Sequence, residues 1–149
     1  MMEDRPVDIE RETDFWNLCW QSVDIYRFLT PVGRCRNLRC VADRVKECDV
    51  TFEELADPYA RQDLVRNVEW FKPCVAIANN FDWARFGASP SSENAIRLRY
   101  TNYVERRECP GARWSIAEGV HRTLVAAVLL DQRRIRWQSF SAVTSEPDT

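Results

Sequence analysis

The sequence predicts an all-α fold, a bundle of seven to eight helices around a central pair of hydrophobic helices. Apolar residues recur at three- and four-residue steps along most of the 149 positions, which is the helical period. No segment shows a convincing strand alternation, and only four Gly and seven Pro argue against a disordered or fibrous chain. A chain of this length is expected to form one domain. We place that domain at residues 1–149, with an ordered core at about 9–143 and a polar C-terminal tail.

The first half of the chain predicts helices with recognisable ends. Residues 9–29 form the first, because its apolar side chains share one face and Pro31 ends the run. Residues 34–48 form the second, with charged residues opposite an apolar face. Three local signals predict further helix starts, two from proline in the first turn and one from a reciprocal cap. They are Asp57-Pro58, Lys72-Pro73, and Thr51 followed three residues later by Glu54.

The second half is predicted to hold the central helix. Asp82 is expected to cap a helix that begins at Trp83 and is interrupted at Pro90. Cys109-Pro110-Gly111 is predicted to be a turn. Residues 115–130 are the most apolar segment, and a helix that is apolar around most of its circumference belongs in a core. A last short helix is expected to hold Ile135, Trp137 and Phe140.

Charge and hydropathy disfavour several classes of function. Twenty-one Lys and Arg against 23 Asp and Glu give a net charge of −2, so a general nucleic-acid binder is not expected. The longest uncharged apolar run, Leu124 to Leu130, is far shorter than the roughly 20 residues of a membrane span. The charged start does not resemble a secretory signal and the polar end does not resemble a tail anchor, so a cytoplasmic location is expected. A group of arginines is interpreted as a solvated face balanced by nearby glutamates: Arg97, Arg99, Arg106 and Arg107.

The six cysteines are expected to be reduced and mostly buried: Cys19, Cys35, Cys40, Cys48, Cys74 and Cys109. No Cys-x-x-Cys pair is present and His121 is the only histidine, so no metal or other cofactor is expected. Phosphate loops and glycine-rich dinucleotide turns are also missing, and we expect no enzyme activity. Two alternatives stay open. One is a cysteine-dependent enzyme that uses His121, and the other is a small helical adaptor with a metal clip.

Three segments, taken together, resemble the three homology regions of the Bcl-2 family of apoptosis regulators. The first runs from Leu38 through Ala42 to Asp43, in a Leu-x-x-x-small-Asp pattern. The second is a helix start that contains Asp82 and Trp83. The third pairs two aromatic residues that are expected to pack in the core, Trp137 and Phe140. The resemblance extends over about residues 9–143 and depends on the order and spacing of the segments.

The resemblance implies a pro-survival protein that inhibits apoptosis by binding the amphipathic death-ligand helix of pro-apoptotic family members. Arg85 would pair with an acidic residue of that helix, while Ala84 and Asp82 replace the Gly and Asn of the family pattern. The hydrophobic groove would be formed by eight residues: Val45, Phe52, Leu55, Val75, Ala78, Ala84, Arg85 and Phe86. The small size is similar to that of viral homologues. An exposed groove also predicts a homodimer, and partners would recruit the protein from the host cytosol to mitochondria.

Overall fold

The computed structural model describes residues 3–21, 27–86 and 95–148, and it shows that the all-α prediction is wrong. The described residues form a four-stranded sheet together with six α-helices. The strands are β1 Arg5–Ile9, β2 Arg97–Tyr100, β3 Trp114–Glu118 and β4 Phe140–Thr144. The helices are α1 Glu12–Trp16, α2 Leu38–Cys48, α3 Phe52–Leu55, α4 Lys72–Asn79, α5 Tyr103–Glu108 and α6 Val120–Asp131. Two 3₁₀ turns complete the order, Val68–Phe71 and Trp83–Arg85. A central pair of hydrophobic helices is replaced by one helix, α6, and a sheet.

The sheet joins the two ends of the described chain. Its strand order is β1-β4-β2-β3, with β4 antiparallel to β1 and parallel to β2, and β2 antiparallel to β3. Pro6 lies in β1 at the edge of the sheet, where its missing N–H costs no ladder bond. The last predicted helix is therefore wrong: Ile135 and Trp137 lie in a non-helical segment after α6, and Phe140 opens β4 and pairs with Ile9.

The predicted helix over residues 115–130 is divided by Gly119. Residues Trp114–Glu118 form β3, which pairs with β2 and buries Ser115 and Ile116, and α6 starts only at Val120. Gly119 has a φ of +94° at the junction, a value that ends the strand and that L side chains rarely adopt. A Cβ at this position would also clash with Cδ1 of the buried Ile96 side chain, which would have to shift.

Helix α6 is nonetheless the centre of the hydrophobic core, as its composition predicts. Helices α2 and α4 pack against it, and its residues from Thr123 to Leu129 are buried. A helix this apolar has no face that water stabilises, so burial on several sides stabilises it. The described chain contains no helix that is both long and apolar enough to cross a membrane.

Two of the three predicted helix starts in the first half of the chain are confirmed. Thr51 and Glu54 form the reciprocal cap of α3, and the Lys72-Pro73 start of α4 is confirmed. The Cys109-Pro110-Gly111 turn is also confirmed, with the Ala112 N–H donating to the Cys109 carbonyl at 3.0 Å.

Other predicted helices are wrong or much shorter. Asp57-Pro58 opens a turn, and the predicted helix over residues 9–29 reduces to α1 within its described part. Asp82 does cap, accepting from the Ala84 N–H at 2.9 Å, but only for a 3₁₀ turn. The interruption predicted at Pro90 lies outside the described residues.

Candidate functional site

A buried thiol cluster is the most distinctive chemical feature of the described structure. Cys19, Cys109 and Ala112 form a small buried cluster separate from the main core, and Cys35 packs against it. The sulfurs of Cys19 and Cys109 lie 3.5 Å apart, and those of Cys35 and Cys109 lie 3.8 Å apart. Cys19 is 0% exposed and Cys109 1% exposed, whereas Cys35 is half-buried. The three thiols therefore form a chain that runs from the interior toward the surface.

Backbone hydrogen bonds fix the position of Cys19 at the edge of the sheet. Its N–H donates to the Trp114 carbonyl, and its carbonyl accepts from the Ile116 N–H, both at 3.0 Å. On the other side Trp20 donates to the Arg36 carbonyl at 2.8 Å. The segment around Cys19 is therefore held between β3 and the residues that precede α2. A thiol held on both sides by backbone bonds has little freedom to leave its neighbours.

Cys109 is positioned by the end of α5. Its N–H donates to the Glu105 carbonyl at 2.7 Å, and the tight turn to Ala112 follows at once. The Arg36 N–H donates to Cys109 Sγ at 3.4 Å, which ties this sulfur to the segment that carries Cys35. The thiols thus come from three parts of the chain that only the tertiary fold brings together.

Glu105 is the charged centre beside the thiols, and it is 2% exposed. Arg99 donates to both of its carboxylate oxygens at 2.7 Å, and the Ser115 hydroxyl donates at 2.7 Å. The Asn102 N–H also donates to the carboxylate, at 2.9 Å, in a reciprocal cap of α5. Burial alone raises the pKa of Glu105, but the bonds from Arg99, Asn102 and Ser115 outweigh it and lower that pKa to about 2. The carboxylate is therefore ionised at neutral pH.

Arg36 brings a positive charge to the same region. Its Nη2 lies 3.6 Å from Glu105 and its Nε 3.5 Å from Glu108. Within the described residues, that Nε is buried and makes no hydrogen bond. Arg36 therefore lies between two carboxylates, and its charge also acts on the neighbouring Cys19 thiol.

This environment separates the acidities of the two buried thiols. The hydrogen bond with Cys109 lowers the pKa of Cys19 to about 7, against the effect of burial, and the Ser115 hydroxyl and the Arg36 charge act in the same direction. The Glu105 charge opposes this shift. The pKa of Cys109 is raised, because it shares that hydrogen bond and is buried. Cys19 is therefore the more acidic thiol of the pair and Cys109 the less acidic one.

A surface pocket begins where the thiol chain reaches solvent. Its volume is about 330 Å³. The pocket is lined by Pro31, Arg34, Cys35, Cys40, Asp43, Arg44 and Glu47. Burial raises the pKa of the Cys40 thiol to about 12, and its hydrogen bond with Cys35 acts in the same direction. Cys40 is therefore a neutral thiol on the pocket wall and a poor nucleophile.

The residues of the three predicted homology regions lie partly in the core and partly on the surface. Leu38 and Ala42 are buried in α2, while Asp43 is exposed and pairs with Arg39 at 2.8 Å. The aromatic residues of the other two regions come together: the ring centroids of Trp83 lie 5.4 Å from Trp137 and 6.1 Å from Phe140. Phe15 of α1 joins them at 6.4 Å or less, so they form an aromatic cluster on the core.

The eight predicted groove residues do not line one surface. Val45, Phe52, Leu55 and Phe86 are buried in the core, and Val75 and Ala78 are half-buried against it. Three of the set line a cavity of only about 70 Å³, namely Val45, Phe52 and Ala78. Ala84 and Phe86 line a different cavity of about 450 Å³, together with Asp82 and Trp83. Arg85 is exposed in the 3₁₀ turn, and its carbonyl accepts from Arg122 at 2.9 Å.

His121 has a partner other than a thiol, and one member of the arginine group differs from its sequence interpretation. The His121 ring stacks on Trp70 at 4.1 Å, and its Nε2 lies 2.7 Å from the Trp70 carbonyl, so its described polar contact is not with a thiol. Burial lowers the pKa of His121, although the bond to Trp70 opposes the shift. Arg99 belongs to the buried Glu105 network and not to a solvated face. Among the described residues, no group of three or more His, Cys, Asp or Glu is arranged to hold a metal ion.

Sequence reasoning missed the thiol site because its members are far apart. Cys19 and Cys109 are separated by 90 positions, and no spacing pattern links them. One local signal was present: Asn102 followed three residues later by Glu105 is a reciprocal cap, which predicts the helix that positions Cys109.

Comparisons of the chain with protein-family models, curated proteins and solved structures found no match.

Proposed function

We propose that this protein is a thiol-based redox protein whose centre, the Cys19–Cys109 pair, cycles between a dithiol and a disulfide. The observation that carries the proposal is the 3.5 Å contact between two buried sulfurs on segments held by the backbone. A disulfide needs the sulfurs to approach to about 2.05 Å, so a displacement of only about 1.5 Å closes the bond.

The chemistry of the pair suits this role. Cys19 supplies the thiolate, which is the nucleophile of thiol–disulfide exchange, and a thiol with a pKa near ambient pH is close to the optimum for attack. Oxidation of the thiolate–thiol pair transfers two electrons to one external disulfide and releases one proton. With a second proton from solvent, the external disulfide becomes two thiols. The external disulfide is the oxidant and an external dithiol reverses the reaction, so the protein needs no bound cofactor for this cycle.

The neighbouring charges support the same assignment. Arg36 stabilises the Cys19 thiolate, while the ionised Glu105 keeps that stabilisation moderate. The balance leaves Cys19 partly ionised at neutral pH, so the pair stays responsive to its surroundings. Cys74 provides a contrast in the same chain. It is buried in the main core with a pKa raised by burial to about 12, as expected for an inert structural thiol.

An equilibrium redox titration tests the proposal. The full chain is incubated to equilibrium in buffers of reduced and oxidised dithiothreitol, quenched in acid, alkylated, and mapped by peptide mass spectrometry. We expect one two-electron transition in which the peptides of Cys19 and Cys109 become linked. Cys109→Ser should abolish the transition, whereas the control Cys48→Ser, at a half-buried thiol elsewhere on α2, should leave it unchanged. Free Cys19 and Cys109 throughout the range, in protein shown to be folded, would refute the proposed function.

The apoptosis function stays a prediction from the three sequence segments, because no observation tests it. The all-helical fold that it implies is not the fold of this chain, and the eight groove residues are divided among the core, separate cavities and, for Arg85, the exposed surface. Calorimetric titration with death-ligand helix peptides, with Arg85→Ala as the control, decides the matter. Binding that is lost on Arg85→Ala would favour the apoptosis function.

A further inference from the structure

We infer that the pocket at Cys35 is the entry site for a small disulfide that carries carboxylates. Cys35 reacts first with this disulfide and then passes the disulfide bond on to the buried Cys19–Cys109 pair. This inference rests on the proposed dithiol–disulfide cycle and adds a substrate class and a route to it. The juxtaposition that points to it is the line of sulfurs from the pocket wall inward, in the order Cys35, Cys109, Cys19.

Burial makes a relay necessary. Cys19 and Cys109 are 0% and 1% exposed, so a disulfide larger than a few atoms cannot reach either sulfur in the folded protein. Cys35 is half-buried, lines the pocket, and lies 3.8 Å from Cys109. Cys40 lines the same pocket, but among the described contacts its thiol is hydrogen-bonded to Cys35 and not to Cys109, so it has no direct route to the buried pair.

The relay balances in three exchange steps. The Cys35 thiolate attacks one sulfur of the external disulfide, forms a mixed disulfide, and releases the first small thiolate. Cys109 then passes its proton to the Cys19 thiolate and attacks Cys35 Sγ, which expels the second small thiolate and forms the Cys35–Cys109 bond. Cys19 loses this proton to solvent and attacks Cys109 Sγ, which forms the Cys19–Cys109 bond and returns Cys35 as a thiolate. One external disulfide is reduced to two thiols, and one buried dithiol is oxidised.

One exposed arginine gives the pocket a binding group for an anionic substrate. Arg44 is paired with Glu47 at 2.6 Å, and Asp43 is paired with Arg39, which also pairs with Asp131. Arg34 lines the pocket, and in the described part of the chain its guanidinium forms no ion pair or hydrogen bond. A guanidinium offers a planar fork that fits a carboxylate. The volume of about 330 Å³ is at the small end of the range for small-molecule sites, which suits a peptide-sized thiol compound.

The relay is tested with glutathione disulfide on the full chain. In Cys109→Ser the second step is blocked, so we expect a stable mixed disulfide with glutathione on Cys35, located by peptide mapping. In Cys35→Ser the buried pair should still reach the same oxidised fraction at equilibrium, but at least about tenfold more slowly, because direct access is lost. The matched control Cys40→Ser removes the other pocket thiol, and it should change the rate by less than about twofold.

The substrate class is tested by charge. Arg34→Gln should slow oxidation by glutathione disulfide about fivefold and leave oxidation by the uncharged 2-hydroxyethyl disulfide unchanged. Equal rates for wild type and Cys35→Ser, both folded by circular dichroism, would overturn the relay while leaving the redox pair intact. If no Cys19–Cys109 bond forms at equilibrium in the wild type or in any of the variants, the proposed function is overturned instead. An Arg34→Gln variant with unchanged rates for both disulfides would refute the carboxylate-bearing substrate.

Discussion

Oxidation of the buried pair should stabilise the protein substantially, and the size of the effect follows from the structure. A bond between Cys19 and Cys109 closes a loop of 90 positions. Loop closure of this length removes about 15 cal/mol/K of unfolded-state entropy, or about 4.6 kcal/mol at 25 °C. The sulfurs must move by about 1.5 Å to reach bonding distance, and strain in the folded state reduces the gain. We expect a net stabilisation of about 3–4 kcal/mol.

The stabilisation is measured by thermal unfolding of the reduced and the fully oxidised protein. For a chain of this size, about 3–4 kcal/mol corresponds to a rise in Tm of roughly 10 °C. The reduced sample is prepared with a phosphine reductant and the oxidised sample is verified by peptide mapping. Cys109→Ser controls for other effects of oxidation, and its Tm should not respond. A mapped Cys19–Cys109 bond with a Tm change under about 2 °C would show that the pair is not preorganised as the structure describes.

Four further predictions concern Glu105 beside the pair and the strand-to-helix junction at Gly119. Glu105→Gln should destabilise the fold by about 3 kcal/mol in urea unfolding, because Arg99 loses its buried anion. The same substitution should lower the pKa of Cys19, measured by thiolate absorbance, because the Glu105 charge raises that pKa. Because the pKa of Glu105 is lowered from its ordinary 4.5 to about 2, its contribution to stability is present above pH 4.5 and is lost as the pH falls through about 2. As the pH falls from 4.5 to about 2, the urea midpoint of unfolding should therefore decrease in wild type and decrease less in Glu105→Gln. Gly119→Ala should cost about 2–3 kcal/mol in urea unfolding, because it combines a strained φ with a clash against Ile96; a cost under about 0.5 kcal/mol would show that the strand-to-helix junction is misplaced.

Short-range signals predicted some elements of the fold correctly. The reciprocal cap at Thr51 and Glu54 and the proline at position 73 act within one helical turn, so the sequence contains the whole interaction. The apolar composition of α6 likewise predicts a buried helix irrespective of topology.

The strands were missed for an equally physical reason. Each strand has only four or five residues, and such short alternations fit a helical period as well. β3 runs directly into α6, so the apolar residues of the strand also fit the helical period of the segment that follows. In the structure, Gly119 with its positive φ separates the two elements. β2 and β4 also pair in parallel over only two residues of each strand, and no local sequence pattern predicts such a pairing.

The candidate site was beyond sequence reasoning because it is a product of tertiary structure. A thiol can be an inert apolar side chain, as Cys74 is, or part of a reactive pair, and the residue type is the same in both. The distinction depends on the neighbours of Cys19, namely Cys109, Ser115 and Arg36, which come from separate segments of the chain.

The most direct test of the redox centre is a crystal structure of the oxidised protein beside one of the reduced protein. In the oxidised crystal we expect continuous electron density between Cys19 Sγ and Cys109 Sγ at about 2.05 Å, with β3 and α5 retained. In the reduced crystal the same atoms should lie near the 3.5 Å seen here. Two separate sulfurs in fully oxidised crystals, or a bond that joins a different pair of cysteines, would contradict the account.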